Sequence, residues 1–474
     1  MVVGSVAKGC QVVVVGAGPG GYLAAIRLAQ LKKDVILVES SPSLGGVCLN
    51  EGCIPSKALI HAADLIENAK NAGTMGLSIK VESVDMEKLA AWKDAIVKKL
   101  TGGVKMLAAS NGAEVIHGKA KFLSNRKLEV QGESGAQLIE FEQAVIATGS
   151  LPFFPPGMEP DGQHVIGARE ALSLNEVPKR LVVIGGGYIG LELGTVYAKL
   201  GSDVDLIEFF PKLLSQHDPE VGEALTRRIK SLGVKLHLGS KATKIERGPT
   251  TRVTIEDNEG KESVLEADKV LISIGRLPAT RELGLKEAGV QADAKGFIKV
   301  DSRMETSAPG IFAVGDVVGG PLLAHKAYRE AKVAAEVIAK RPSAFDNVVI
   351  PAVIYTDPEI AWAGLSEAEA KQQGYEVVTG TFPFKASGRA MTLNAAEGFV
   401  KTVADAKTKR ILGVHIVGAE ASEMISEAAL AIEMGAFLDD LAQTIHPHPT
   451  MSEGLLESVD AALGEAIHVI NKAR

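Results

Sequence analysis

Cysteine is scarce: three residues in 474. That excludes the disulfide framework of a small secreted protein. No excess of positive charge exists either. Lys and Arg number 51 against 58 Asp and Glu, a net of −7, and no basic stripe is present, so nucleic acid is not expected as a partner. Long apolar runs are missing too. The run Val12 to Val15 ends at once in glycines, far short of the roughly 18 residues of a membrane span, and it lacks the layout of a signal peptide. These absences predict a reducing compartment: a bacterial cytoplasm, or an organelle matrix after loss of a transit peptide. A disulfide that persists there is catalytic or redox-sensing. What is plentiful is glycine, 50 residues, clustered in turns rather than in low-complexity tracts. The length exceeds what one hydrophobic core serves and predicts about three domains.

Two of the three cysteines stand five positions apart in Gly45-Gly46-Val47-Cys48-Leu49-Asn50-Glu51-Gly52-Cys53-Ile54-Pro55-Ser56-Lys57. The spacing is not that of a thioredoxin-type pair or of half a zinc knuckle. On a regular helix, positions five apart point roughly 140° from each other. A bond between them needs Cα atoms within about 7 Å, so a helix starting here must be distorted if they bridge. The alternative is a pair of buried, inert thiols. Cys10 is expected to have no catalytic part.

Before this stretch lies a βαβ pattern. The apolar run Cys10 to Val15 leads into Gly16-Ala17-Gly18-Pro19-Gly20-Gly21, then a helix expected from Tyr22 to about Leu31, then a strand ending in Glu39. Glycines permit the tight turn and close approach to a pyrophosphate, the helix N-terminus faces the phosphates, and the acid accepts from a ribose hydroxyl. The unit recurs. Leu181 to Ile184, Gly185-Gly186-Gly187-Tyr188-Ile189-Gly190, a helix stopping at Gly201 and a strand ending in Glu208 repeat the order. First glycine to acid spans 23 positions in both copies. Two dinucleotides are therefore expected, and Glu208 argues for NAD over NADP, because a carboxylate repels a 2′-phosphate.

Between and beyond these copies, Ala58 to Asn111 reads as mostly long helices, and about Ala113 to Glu142 as an antiparallel insert. Ala144 to Ser150, through Thr148 and Gly149, is a buried strand ending on glycine, and Val270 to Arg276 repeats it. Asp218 is expected to cap the helix that runs through Arg227-Arg228 to Gly233. Asp316 ends another buried strand, either as a ligand for a ribitol hydroxyl or as a plain helix cap. Past Lys340 the pattern becomes a mainly antiparallel sheet, with strands at Pro351–Tyr355, Glu376–Gly380, Gly398–Thr402 and Ile411–Val417. Helices are expected over Ser422–Met434 and Glu453–Ile467. Near the end stands His446-Pro447-His448-Pro449-Thr450-Met451-Ser452-Glu453. Prolines present His448 on extended chain, Ser452 or Thr450 is expected to cap the following helix, and a His beside a carboxylate suits a general base. The histidine pair lacks a third metal-ligand signal, so no metal is expected.

Together these stretches resemble the flavin-dependent pyridine nucleotide–disulfide oxidoreductases, and within them the branch that oxidises dihydrolipoamide. The likeness covers essentially the whole chain. It implies an α/β protein of two Rossmann-like three-layer domains, for FAD and for NAD, plus a C-terminal α+β dimerisation domain. The implied boundaries are 1–150, 151–276, a segment 277–346 completing the first domain, and 347–474. It implies FAD at Gly16, Gly18, Gly21, Glu39, Lys57, Gly118, Thr148, Gly149, Asp316, Leu322, Leu323, Ala324 and His325. It implies NAD at Gly185, Gly187, Gly190, Glu192, Glu208 and Gly275, with Glu192 also pairing Lys57. Cys48 and Cys53 are then the redox pair, Cys48 exchanging with the substrate and Cys53 facing the flavin. His448 and Glu453 are the acid–base pair, delivered to the partner subunit of a homodimer. Lipoyl domains and the acyltransferase core of a 2-oxo acid dehydrogenase complex, or a glycine-cleavage system, are the implied partners. Two departures stand out: Glu51 replaces an apolar residue between the cysteines, and Asp357 stands where a His is frequent. A glutathione-type reductase would be expected to carry Arg for NADPH, a mercuric reductase a C-terminal cysteine pair, and a mere scaffold none of the four catalytic residues.

Overall fold

The computed structural model describes residues 7–248 and 250–471. The first apolar run becomes β1 (Lys8–Val15), with its last four residues buried. It leads through α1 (Pro19–Gln30) to β2 (Val35–Glu39), which pairs parallel with β1. The helix begins three residues before the expected Tyr22, because Pro19 and Gly20 join its first turn, where a proline's missing N–H costs nothing. Then come α2 (Gly46–Glu51), α3 (Cys53–Asn71) and α4 (Met86–Ser110). The helical stretch is interrupted between α3 and α4. Asp85 restarts it by accepting from the Lys88 N–H at 3.0 Å.

The expected antiparallel insert does not extend over its whole length. β3 (Glu114–His117) is not antiparallel; it lies parallel beside β2. The antiparallel part is β4 (Lys119–Ser124), β5 (Lys127–Gly132) and the first half of β6 (Gly135–Ile146). β6 also runs parallel beside β1, giving the order β3-β2-β1-β6-β5-β4. A 12-residue strand can serve both neighbours.

The second unit starts with β7 (Ser150–Pro152), β8 (Val165–Ile166), α5 (Ala168–Ala171) and β9 (Arg180–Ile184). α6 (Tyr188–Leu200), β10 (Asp203–Glu208), α7 (Pro219–Ser231) and β11 (Lys235–Leu238) follow. An antiparallel trio, β12 (Lys241–Glu246), β13 (Thr251–Glu256) and β14 (Glu262–Ala267), precedes β15 (Lys269–Ile272). The parallel sheet has order β11-β10-β9-β15-β8. The chain then returns. β16 (Arg276–Pro278) pairs with β7, α8 (Leu285–Ala288) follows, and β17 (Ile311–Ala313) joins the first sheet beside β6. α9 (Ala324–Ile338) packs on α1.

The last unit is one antiparallel sheet. It holds β18 (Ala352–Ile354), β19 (Ile360–Gly364), β20 (Val377–Pro383), β21 (Phe399–Asp405) and β22 (Ile411–Val417), in the order β18-β19-β22-β21-β20. α10 (Glu367–Gln372) and α11 (Gly388–Thr392) lie in its connections. α12 (Ala421–Met434), α13 (Leu438–Ala442) and α14 (Glu453–Leu463) follow it. β22 is buried along its whole length, because α12 covers part of the sheet and Val417 joins the core of the second unit. β19 escaped the sequence reading: at five residues with one Trp it lacks a clear alternation. α14 stops short of Ile467, because Gly464 turns left-handed at φ 78°.

A buried cation joins the last two units. Lys401 on β21 has a side chain 5% exposed, with Nζ 2.9 Å from Asp218, 2.6 Å from Glu220 and 2.9 Å from Glu367. Contrary to expectation, Asp218 therefore does not cap α7 with its side chain; it occupies the cap position but serves the lysine. A desolvated ammonium surrounded by β-strand has few other acceptors, so the carboxylate goes to it. Removing one partner of such a buried cluster costs about 3–5 kcal/mol. Lys401→Met should lower the denaturant midpoint of the holoprotein accordingly, whereas Lys119→Met, at an exposed pair with Glu282, should leave it nearly unmoved.

Candidate functional site

The cysteine stretch forms not one distorted helix but two. Gly52, at φ −145° and ψ −106°, separates α2 from α3. Cys48 lies on the first and Cys53 opens the second, and the break lets two residues five apart face each other. Their thiols are in hydrogen-bond contact, both in the reduced form. The pair is electrically unequal. The hydrogen bond from Cys48 lowers the Cys53 pKa; burial opposes it, and the Lys57 ammonium and the Cys53 N–H, at the positive end of a 19-residue helix, add to the lowering. Cys48 is pushed up by that same bond and by burial. Cys10 is buried in strand, and desolvation, with Asp34 adding, pushes it up to about 12, so it stays a thiol.

Lys57 lies one turn beyond Cys53. Its Nζ sits 2.8 Å from Glu192 Oε2, 3.3 Å from Ser56 Oγ and 4.4 Å from the centroid of the Tyr355 ring. Glu192 is 4% exposed on α6, and its other oxygen accepts the Tyr355 N–H at 3.0 Å. The implied Lys57–Glu192 pair is present, and both oxygens of Glu192 are engaged on the cysteine side.

The two glycine turns share geometry as well as sequence. Gly16 and Gly185 are left-handed, at φ 97° and 107°. A Cβ on Gly21 would lie 1.7 Å from the Gly16 carbonyl oxygen, and one on Gly190 would lie 2.0 Å from that of Gly185. No side chain fits at either third glycine. At Gly187 a Cβ would meet nothing within 4 Å, and at Gly18 nothing nearer than 3.9 Å. The middle glycines thus leave the approach to each helix N-terminus clear. Glu39 accepts from the Ala17 N–H at 2.6 Å and from the Ser41 N–H at 2.8 Å. Glu208 accepts from Gly186 at 2.7 Å and from Phe210 at 2.8 Å. Each acid is thereby held at the rim of its own loop.

One continuous cavity of about 3570 Å³ joins both loops to Cys48, Cys53 and Lys57. Pockets for a single ligand measure about 300–1,000 Å³, so this one has room for two dinucleotides. Thr148 lines it and has a buried hydroxyl with no partner, a polar atom suited to a bound group. Gly118, Gly149, Asp316, Gly275 and the Leu322-Leu323-Ala324-His325 turn, which opens α9, line the same cavity. Asp316 does not cap a helix; it accepts from Ser150 Oγ at 2.5 Å, and Ser150 accepts from Arg276 Nε at 2.7 Å. The residues present thus fit a dinucleotide at each loop.

His448 and Glu453 are together but elsewhere. His448 Nδ1 is 2.8 Å from Glu453 Oε1, and the His448 side chain is 80% exposed. Neither residue lines the cavity. Contrary to expectation, neither Ser452 nor Thr450 caps α14 with its hydroxyl; instead Glu453 reaches back to accept the Thr450 N–H at 2.8 Å. Although burial opposes it, that bond and His448 hold the Glu453 carboxyl below its usual range. His446 turns to Glu427, at 2.9 Å, and does not pair with His448 in a ligand set.

Sequence reasoning missed Ser150, Arg276 and Tyr355. Ser150 and Arg276 carried a usable signal, since each directly follows the glycine that ends its strand in the two repeats. Tyr355 carried none, because it meets Lys57 across nearly 300 residues of chain. The imbalance within the thiol pair has a pH consequence. Thiolate exists above the pKa, so a lowered pKa extends Cys53 reactivity to lower pH. In Cys48→Ser, where a hydroxyl still donates to Cys53, iodoacetamide should label Cys53 with a midpoint below that of an ordinary thiol. Adding Lys57→Met should raise the midpoint by about one unit or more; an unmoved midpoint would show that the lysine is not its support.

Comparison with known proteins bears directly on this arrangement. The profile of the pyridine nucleotide-disulphide oxidoreductases matches residues 10–331, and that of the dimerisation domain of the same family matches residues 350–459. A dihydrolipoyl dehydrogenase of Thermus scotoductus is 50% identical over 98% of this chain and its own full length. One of Haloferax volcanii is 47% identical over the full length of both. Among solved structures, LpdA from Mycobacterium tuberculosis superposes with a TM-score of 0.88 at 25% identity, covering 95% of this chain and 99% of its own. The HOCl-induced flavoprotein disulfide reductase RclA from Escherichia coli superposes at 0.85 with 29% identity, over 95% and 99%. With matching profiles over most of its length, and a dithiol set between two glycine-loop units, this chain belongs to the pyridine nucleotide-disulphide oxidoreductase family.

Proposed function

We propose that the chain oxidises protein-bound dihydrolipoamide to lipoamide and passes the electrons to NAD+. The observation that carries this is the unequal Cys48–Cys53 pair, lying in one cavity with both glycine loops. FAD and NAD are the cofactors of the family. FAD would be held at the first loop by Gly16, Gly18, Gly21 and Glu39, with Lys57, Gly118, Thr148, Gly149, Asp316 and residues 322–325 lining the same cavity. NAD would be held at the second by Gly185, Gly187, Gly190, Glu208 and Gly275, whereas Glu192, expected there too, gives both carboxylate oxygens to Lys57 and the Tyr355 N–H. Glu208, at the end of β10, favours NAD over NADP. When bound, FAD would supply the electron acceptor for the reduced dithiol, and NAD+ the final hydride acceptor.

The side chains do the sulfur chemistry. In the oxidised enzyme Cys48 and Cys53 share a bond. His448, oriented by Glu453, removes a proton from one substrate thiol, since only the thiolate attacks a disulfide. That thiolate attacks Cys48; the Cys48–Cys53 bond breaks and Cys53 leaves as thiolate, the form that Lys57 and the helix end favour. The second substrate thiol attacks the substrate sulfur bound to Cys48, its proton passing to His448 as the first proton moves on to the departing Cys48. Lipoamide departs with its ring closed, and Cys48 is released reduced.

The dimerisation domain makes the chain a homodimer. In our reading His448, exposed in its own subunit, completes the partner's site. We infer domain boundaries at 1–150, 151–276, 277–346 and 347–474; the return of β17 to the first sheet, beside β6, supports grouping the third segment with the first. Lipoyl domains and the acyltransferase core of a 2-oxo acid dehydrogenase complex are the proposed partners, in the cytoplasm. Among the described residues no helix is long and apolar enough to cross a membrane.

Two experiments test this reading. Cys48→Ser should abolish lipoamide-dependent NAD+ reduction while keeping its flavin; normal turnover would refute the exchange role. His448→Ala should lose about 10²–10⁴-fold. Co-expressing the two variants should restore activity, because one mixed site then has intact cysteines from one subunit and His448 from the other. No recovery in purified heterodimers would place His448 in its own subunit's chemistry.

A further inference from the structure

Lys57 is held by more than the carboxylate its family resemblance assigns to it. Its ammonium lies 4.4 Å from the centre of the Tyr355 ring, within the reach at which an aromatic face attracts a cation. Tyr355 belongs to the segment after β18, in the unit that carries the dimerisation match. Its backbone N–H meets Glu192 Oε1 at 3.0 Å, while Glu192 Oε2 meets Lys57 Nζ at 2.8 Å. One residue thus touches both members of the ion pair, the acid through its backbone and the cation through its ring.

The segment is itself clamped. Two residues on, Asp357 Oδ2 is 2.7 Å from Lys199 Nζ and 2.7 Å from Arg228. The Lys199 side chain, 2% exposed, also meets Asp64 at 2.6 Å. Lys199 lies seven residues after Glu192 on α6, and Asp64 seven after Lys57 on α3, two turns along the same helix faces. The helices α3 and α6 are therefore pinned twice, with charges of opposite polarity. The segment 355–357 spans both pins. Asp357, the departure noted in the sequence, supplies a second anion at the far one, beside Asp64.

We propose that Tyr355 is a positioning residue: its ring face keeps the Lys57 ammonium beside Cys53, and so sets how strongly the cation supports the Cys53 thiolate. The inference rests on the reading of Cys53 as the thiolate member of the pair. A third of the Lys57 side chain is exposed, so an ammonium released from the ring would hydrate and swing outward. Its field at Cys53 would then weaken, and thiolate would form less readily. Few other groups around Cys53 titrate nearby. Cys48 faces it from α2 and Glu192 from α6. Tyr22 on α1, Tyr188 on α6, Tyr328 on α9 and Tyr355 itself act on it or feel its charge, and burial pushes all four phenols up, so they stay neutral. Asp316 lies on the Cys48 side, and Glu359, beyond Tyr355, is pushed up by burial.

The test replaces Tyr355 with phenylalanine and then with mono-, di- and pentafluorophenylalanine in the Cys48→Ser holoprotein. The ring's shape is nearly kept while its face loses negative potential. The readout is the pH midpoint for iodoacetamide labelling of Cys53, found by mass spectrometry of its peptide. Tyr355→Phe should leave the midpoint in place. Stepwise fluorination should raise it, lowering the labelling rate at neutral pH by about threefold to tenfold at the end of the series. Tyr355→Leu should shift it at least as far. A flat series, a fall in the midpoint, or a shift in Tyr355→Phe as large as that of the pentafluoro ring would overturn the proposal. Because the readout is labelling rather than turnover, a protein that failed to oxidise dihydrolipoamide could still pass this test. Conversely, a flat series would leave the exchange role of Cys48 untouched.

Discussion

The site depends on one interruption of a helix. Residues five apart on a continuous helix face different ways, so two cysteines at that spacing cannot meet without a break. Gly52 supplies it, in a conformation outside the helical region. The break also creates a fresh helix N-terminus at Cys53, and with it a local positive potential. Thiol contact and thiolate stabilisation thus come from the same backbone feature. Everything else near the dithiol refines that asymmetry: Lys57 one turn later, Glu192 to orient the lysine, and the loop at Tyr355 to hold both.

The duplicated units show how one local design serves two places. Both turns use a left-handed first glycine, both pack a helix so close that the third glycine admits no Cβ, and both point an acid back at the turn. What differs is the setting. The first sheet gains an antiparallel extension and is completed by a strand from much later in the chain, beside β6. The second stays open to its own antiparallel trio. The shared cavity exists because both turns point to one seam, where the dithiol lies.

Charge, rather than apolar surface alone, marks the seams. Lys401 joins the second and last units, and the set of Asp64, Lys199, Asp357 and Arg228 joins all three. Buried ions cost desolvation that their mutual attraction does no more than balance. They discriminate strongly between correct and shifted packing, however, because a slipped partner leaves a buried charge alone. For a cavity built from several units, register matters more than added stability.

Much of this was legible in the chain. The glycine spacings, the terminal acids Glu39 and Glu208, the cysteine stretch and the His448–Glu453 pair are local patterns, set by turn conformation and by residues within a few positions of each other. The repeat could be read because each copy carries its own complete backbone instructions. The parallel place of β3, the capping roles of Asp218, Thr450 and Ser452, and the short β19 were not legible. In each case a partner distant in sequence or a competing local acceptor decided the outcome: β2 for β3, Lys401 for Asp218, the Glu453 carboxylate for the turn before α14. The sequence alone determined which chemical groups exist and how the chain turns around each of them. Tertiary structure alone decided which of those groups share an environment, as when Tyr355 is set against Lys57, because burial and charge pairing act through space between residues that no short pattern connects.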